Sequence, residues 1–212
     1  MIPAFRYYLF DVDGTLVDSA EDICGAIQGV LLKTPQKNVP FEFLKSYIGR
    51  HLLDLFQDLF PHHTSEQHEV LISEYRTLYP ARNHSCTRLF PGVSQVLAAL
   101  PGLKSTATTK GTPTTRAVLE KFGLLPYFHH VQGTDGFPAK PNPDVVHKAL
   151  QALGGNPEEC LFIGDAAADM EAARRAGVKS CAVTYGYGKK EDLARWEPDF
   201  WMSDPRDLLT MK

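Results

Sequence analysis

With 212 residues, 43% of them hydrophobic, and a formal net charge of −3, the chain has apolar material for one main core plus a smaller insert. No run of Lys or Arg suggests a nucleic-acid or membrane surface, and no apolar stretch approaches the length of a membrane span, so neither partner is expected. Cys24, Cys86, Cys160 and Cys181 are scattered with no CxxC pair, which predicts buried, reduced thiols and a cytoplasmic protein.

In chain order, the first apolar run, Tyr7 to Phe10, reads as a strand that ends in Asp11-Val12-Asp13-Gly14-Thr15. Residues two apart on an extended chain point the same way, so Asp11 and Asp13 can face one space. Such an acidic pair repels itself unless something positive sits between the two carboxylates. A calcium loop is excluded, because its glycine belongs at the sixth position and here Gly14 stands fourth.

From Asp18 to Cys86 the pattern is helical throughout. Ser19 to Asp22 has the form of a capping box, and Ala20, Ile23, Cys24, Ile27, Val30 and Leu31 follow helical spacing. Phe41 to Ile48, Leu52 to Phe60 and Glu66 to Leu78 read as further helices, separated by Pro40, Gly49 and Pro61. An insert placed after the first strand overhangs the site that strand ends in. His62, His63 and His68 lack the HExxH spacing and read as solvated loop histidines.

Beyond the insert, strand, loop and helix repeat. Leu103 to Thr108 is a strand, unusually polar for a buried parallel one. It ends in Thr108, Thr109, Lys110 and Gly111 before a helix opened by Thr112 and Pro113. Hydroxyls and free amides there suit an anion; a plain Thr N-cap with Pro at the first helical position is the alternative. Lys140 sits in AKPNPD, where two prolines stiffen the loop and Asn142 can cap the next helix. Leu161 to Ile163 precedes Gly164, Asp165 and Asp169, with a helix over residues 169–176, and Ser180 to Thr184 is the last expected strand. Helical spacing puts Asp165 and Asp169 on one side, although Asp165 could also serve as a helix cap. The repeat predicts an α/β parallel sheet whose ligand site lies beyond the carboxyl ends of its strands. Carboxylates gathered there around a hard ion fit Mg2+.

DVDGT at Asp11 to Thr15, the threonine at Thr108, KPNPD beginning at Lys140 and GDAAAD at Gly164 to Asp169, in this order, resemble the haloacid dehalogenase-like superfamily. The resemblance covers nearly the whole chain, and the wording of its segments is closest to the phosphoglycolate phosphatase branch. It implies a Rossmann-like, doubly wound core over residues 1–17 and 87–212, with a helical C1 cap over 18–86. The cap would hinge at Val17 to Ala20 and Arg82 to Leu89. It further implies an Mg2+-dependent phosphatase of small phosphorylated metabolites, phosphoglycolate-like, working as a monomer or homodimer. Asp11 would be the nucleophile and Asp13 the general acid and base, with Thr108 and Lys140 holding the transferring oxygens. Asp11, the backbone carbonyl of Asp13, Asp165 and Asp169 would serve the metal. Gly14, Thr15, Thr109 and Lys110 would line the substrate, and Arg50 in the cap turn is the candidate for a carboxylate or second phosphate, an exposed arginine opening a helix being the alternative. Asp13 argues against a true dehalogenase, whose halide leaves without a proton. Lys33, Lys37 and Lys45 read as solvated rather than as a phosphonatase lysine. A β-phosphoglucomutase-like mutase and a non-catalytic phosphometabolite-binding module are the competing readings. Two positions depart from the family pattern: Thr109 where asparagine is usual, and Ala166 where serine is common.

Overall fold

The computed structural model describes residues 2–209; the first residue and the last three of the expected core segment lie outside the described residues. Five parallel strands form the main sheet: β1 (Tyr7–Phe10), β4 (Leu103–Thr106), β5 (Cys160–Gly164), β6 (Lys179–Val183) and β7 (Phe200–Met202), in the order β4-β1-β5-β6-β7. Strand periodicity divides the side chains between two layers. Tyr8 and Phe10, with Leu161 and Ile163, pack under α5 (Val93–Ala99) and α6 (Thr112–Lys121). Tyr7, Leu9, Cys160 and Phe162 pack on the opposite face against α7 (Asp144–Ala152) and α8 (Ala167–Ala176). The result is an α/β doubly wound sheet.

After β1 the chain returns to the sheet on one side, as β4, and then on the other, as β5. That reversal makes β1 the switch point, where helices depart to opposite faces and leave a crevice at the strand ends. The ladder continues past the strands, with the Asp11 amide donating to Ile163 O at 2.9 Å and the Ala107 amide to Phe10 O at 2.8 Å. Hydrogen bonding therefore fixes the backbone up to the residues that carry chemistry.

Between β1 and β4 lies a helical insert: α1 (Ala20–Leu31), α2 (Phe41–Lys45), α3 (Leu52–Leu59) and α4 (Ser65–Ala81). It has its own apolar cluster, including Ile27, Leu44, Leu55, Phe56 and Ile72. The chain enters and leaves through a two-stranded antiparallel ribbon, β2 (Val17–Asp18) paired with β3 (Arg88–Leu89). A short helix, α9 (Lys190–Ala194), precedes β7.

Several local expectations are corrected. Ser19 and Asp22 make no capping box: Ser19 Oγ donates to Asp13, while the buried Asp22 carboxylate accepts from Arg82 Nε, the Cys86 and Thr87 amides and Thr87 Oγ1. Burial opposes ionisation of Asp22, but these donors outweigh it and hold its pKa below the usual carboxylate value. A capping box does open α4, where Thr64 and Gln67 exchange bonds. α4 also begins earlier and runs further than expected, and α2 stops at Lys45. His68 is buried on α4 with Nε2 3.1 Å from Phe60 O, so only His62 of the three histidines is exposed. The polar strand β4 is tolerated because it lies at the sheet edge, where Thr106 Oγ1 bonds both to Gln132 O and to its amide. Cys24, Cys160 and Cys181 are buried and Cys86 is half-buried, all as free thiols. Among the described residues no helix is long and apolar enough to cross a membrane.

Candidate active site

The acid-bearing strand ends converge. Asp11 follows β1, and Asp165 and Asp169 follow β5 at the start of α8; oxygens of all three buried side chains lie within 4.8 Å of one another. Thr15 Oγ1 donates to Asp165 Oδ1 at 3.0 Å and the Tyr187 amide to Oδ2 at 2.8 Å. Asp169 Oδ2 accepts from the Ala166 amide at 2.9 Å, closing the first turn of α8 from inside.

Lys140 supplies the positive charge beside this trio. Its side chain is fully buried, with Nζ 2.8 Å from Asp11 Oδ1, 2.5 Å from Asp169 Oδ1 and 3.1 Å from Ala107 O. The contact with Asp11 is an ion pair without hydrogen-bond alignment, so Asp11 Oδ1 remains a buried oxygen lacking a hydrogen bond. Burial works against the lysine charge, but Asp11 and Asp169 outweigh it and raise the Lys140 pKa. Asp165 and Asp169 have raised pKa values. Burial comes first for Asp165, then Asp169 and Asp11; burial also leads for Asp169, partly offset by Lys140. Two buried acids that resist ionising, beside a third whose oxygen lacks a hydrogen bond, are what a hard cation with oxygen ligands relieves.

Asp13 lines the same cavity, but its carboxylate stands apart from that trio. Ser19 Oγ donates to Oδ1 at 2.6 Å, and Lys110 Nζ lies 3.1 Å from Oδ2. Lys110 is nearly buried, bonds the Tyr79 hydroxyl at 3.0 Å and sits 4.2 Å from that ring's centre. Burial opposes its charge, and Asp13 with Tyr79 reverses the effect and raises its pKa. Two classes of carboxylate environment therefore meet at one cavity, which Asp11 and Asp13 both line: a metal-like cluster behind Asp11, and an acid held between a hydroxyl and an ammonium.

Gly14 is required where it stands. Its φ is +90°, and a Cβ there would lie 2.2 Å from Asp165 Oδ2. Gly186 presses on the other side, since a Cβ would come within 2.4 Å of both Asp165 Cβ and Gly14 O. Thr108 is buried and lines the cavity. Thr109 Oγ1 reaches across to the insert and donates to Gly49 O at 3.1 Å.

Arg50 is not among the buried groups. It is exposed at the cavity edge, stacked 4.5 Å over the Tyr47 ring, with Nε 3.6 Å from Asp54. Sequence reasoning missed Ser19, Tyr187 and Tyr79. The Tyr187 hydroxyl accepts from the Ser19 and Ala20 amides at 2.7 and 3.1 Å, fastening the start of α1 to the loop that carries Asp165's donor. Nothing local in the loop after β6, which carries Tyr187, revealed this tether.

The cavity above the site is about 650 Å3, floored by Asp11, Asp13, Thr108 and Lys110 and roofed by the insert. A family model described as haloacid dehalogenase-like hydrolase matches residues 8–183. A phosphoglycolate phosphatase from Aquifex aeolicus is 33% identical over 210 residues, spanning 97% of this chain and 96% of its own length. One from Caulobacter vibrioides is 36% identical over 186 residues, 84% of this chain and 78% of that protein. The crystal structure of a predicted phosphatase from Clostridium acetobutylicum matches with a TM-score of 0.89 at 28% identity, covering 97% of this chain and 96% of that one.

Proposed function

Because the chain belongs to the haloacid dehalogenase-like hydrolase family, we propose that it is an Mg2+-dependent phosphatase of small phosphorylated metabolites that works through an aspartyl-phosphate on Asp11. The observation that carries this reading is the separation of two carboxylate environments over one cavity: Asp11, Asp165 and Asp169 clustered with Lys140, and Asp13 outside that cluster beside Ser19 and Lys110.

The metal would be held by Asp11, Asp165 and the backbone carbonyl of Asp13, with Asp169 assisting, and it supplies charge neutralisation for the nucleophile and the transferring oxygens. The protein's own residues carry the rest. An Asp11 oxygen attacks phosphorus as the ester P–O bond breaks, and Asp13 gives its proton to the departing oxygen. Water then attacks the phosphorus, Asp13 takes the proton back, and inorganic phosphate leaves with Asp11 restored. Ser19 and Lys110 position Asp13 for both transfers. Thr108 and Lys140 bind the equatorial oxygens, where negative charge is spread in the transition state. Gly14, Thr15 and Thr109 shape the phosphate's surroundings. Residues 18–86 act as a cap, swinging on the β2–β3 ribbon to admit substrate and exclude water.

The test is phosphate release over a panel of phosphorylated metabolites with Mg2+ and with EDTA, phosphoglycolate being the reference compound. Turnover is expected only with the metal. Asp11→Asn should abolish it, by ~10^4-fold or more as for loss of other covalent nucleophiles, with thermal unfolding still cooperative. Mg2+-dependent turnover that survives in Asp11→Asn would refute the nucleophile.

A further inference from the structure

The cavity offers more room, and a more apolar wall, than a phosphoryl group uses. Its volume of about 650 Å3 falls in the range of pockets that enclose drug-sized ligands, roughly 300–1,000 Å3. The cap wall is built from Ile23 and Ile27 on α1, Leu55 on α3, and Ile72, Tyr75 and Tyr79 on α4. On α1 and α4 their spacings of three, four and seven residues put one apolar face of the helix toward the cavity. Tyr75 and Tyr79 form a flat panel in that wall, their rings 5.5 Å apart and 12° from parallel.

The polar side chains of Tyr47, His51 and Arg76 in the same wall each have a partner within the insert. The Tyr47 hydroxyl donates to Asp58 at 2.5 Å, His51 Nδ1 accepts the Leu53 amide at 3.2 Å, and Arg76 Nη1 donates to Glu69 at 2.8 Å. Arg50 is turned to Asp54 at the edge. The Tyr75 hydroxyl is different: among the described residues it makes no hydrogen bond. A polyhydroxylated leaving group turned to this panel would leave hydroxyls unpaired against its hydrocarbon, and a two-carbon acid would leave most of the cavity to water.

We propose that the substrate's leaving group is a ring-bearing, largely apolar alcohol, an arylalkyl phosphate monoester, with one polar substituent at most, placed to meet the Tyr75 hydroxyl. The proposal takes the reacting group from the phosphatase reading above and the body of the substrate from the cap.

Two measurements separate these parts. In the first, phosphate release is followed with Mg2+ on benzyl phosphate, phosphoglycolate and glycerol 3-phosphate, all of which release an alcohol oxygen rather than an activated phenol. Benzyl phosphate should have a kcat/KM at least tenfold above both others. In the second, calorimetry compares benzylphosphonate with phosphonoacetate, neither of which has an ester bond to hydrolyse, on the Mg2+-loaded protein. Benzylphosphonate should bind at least tenfold more tightly, and Tyr75→Ala, at a half-buried position, should shrink that ratio severalfold. Equal or better binding of phosphonoacetate, or a higher kcat/KM for phosphoglycolate, overturns the proposal. Absence of all turnover with benzylphosphonate still preferred would sink the phosphatase reading and support the substrate body.

Discussion

Lys140 is the sharpest place to perturb the site. Among the described residues it is the only Lys or Arg within ion-pair distance of the Asp11, Asp165 and Asp169 cluster, with Nζ at 2.8 Å from Asp11 and 2.5 Å from Asp169 and no exposed side-chain surface. Lys140→Met keeps the length of the side chain and removes its charge, so three buried carboxylates are left facing one another. Breaking a buried pair by removing one partner destabilises by about 3–5 kcal/mol. At about 2–4 °C per kcal/mol for a chain of this size, the melting temperature should fall by roughly 6–20 °C. Lys140 also competes with a cation for Asp11 and Asp169, so added Mg2+ should raise the variant's melting temperature more than the wild type's. Differential scanning fluorimetry in EDTA and in excess Mg2+, well above the ordinary carboxylate pKa, reads both effects. A loss below about 1 kcal/mol together with equal Mg2+ gains would show that the charges are not coupled as their distances imply.

Gly14→Ala should destabilise by about 2–5 kcal/mol, from left-handed strain plus overpacking, because its Cβ would meet Asp165 Oδ2 at 2.2 Å with φ at +90°; urea unfolding measures this, and Mg2+ binding should weaken with it. The pH dependence in EDTA follows from Asp165 and Asp169, whose pKa values are raised by burial and neighbouring acids. The folded state then binds protons more tightly than the unfolded state, so their contribution is fully present below about pH 4 and is lost as pH rises through the raised values. Melting temperatures measured across that window should fall through this contribution, and Mg2+ should flatten the slope by stabilising the ionised forms. Arg50→Ala should change stability by no more than about 0.5 kcal/mol, since its pair with Asp54 is an exposed one at 3.6 Å. A KM increase confined to carboxylated phosphates would give Arg50 a part in specificity that its position here does not.

What could be read from the sequence was whatever depends on short-range pattern. The apolar runs before Asp11 and Asp165 alternate between two packed layers, and their polar ends fall at the switch point because a parallel sheet leaves its crevice there. The side-chain partners were not legible, because they are distant in sequence. Ser19 and Asp22 fit a capping box locally, yet Asp22 is taken by Thr87, 65 residues on, and Ser19 turns back to Asp13, six residues earlier. Tyr187 meets Ser19 over 168 residues, and no spacing rule reaches that far. Lys140 stands on a proline-stiffened loop as expected, but the loop turns it inward to full burial, which only the charge of three assembled carboxylates explains. His68 failed for the same reason in reverse: its polarity suggested exposure, and a specific partner makes its burial tolerable.

The two departures from the family pattern have one address. Thr109 Oγ1 donates to Gly49 O at 3.1 Å, and a Cβ on Gly49 would lie 3.0 Å from the Ala166 methyl. Core residues from two different strand ends therefore seat a single glycine of the cap turn, one by a hydrogen bond and one by its small size. Gly49 has φ of +91°, so that turn is itself restricted to glycine. A hydroxyl in place of an amide at 109 keeps a donor and spends it on the cap. An alanine at 166 places a methyl where a side chain on Gly49 would meet it. Both positions meet the insert at Gly49, apart from the contacts that join Asp11, Asp165, Asp169 and Lys140. On this argument, substitutions at Thr109 and Ala166 alter substrate access and leave the carboxylate cluster's affinity for a divalent ion intact.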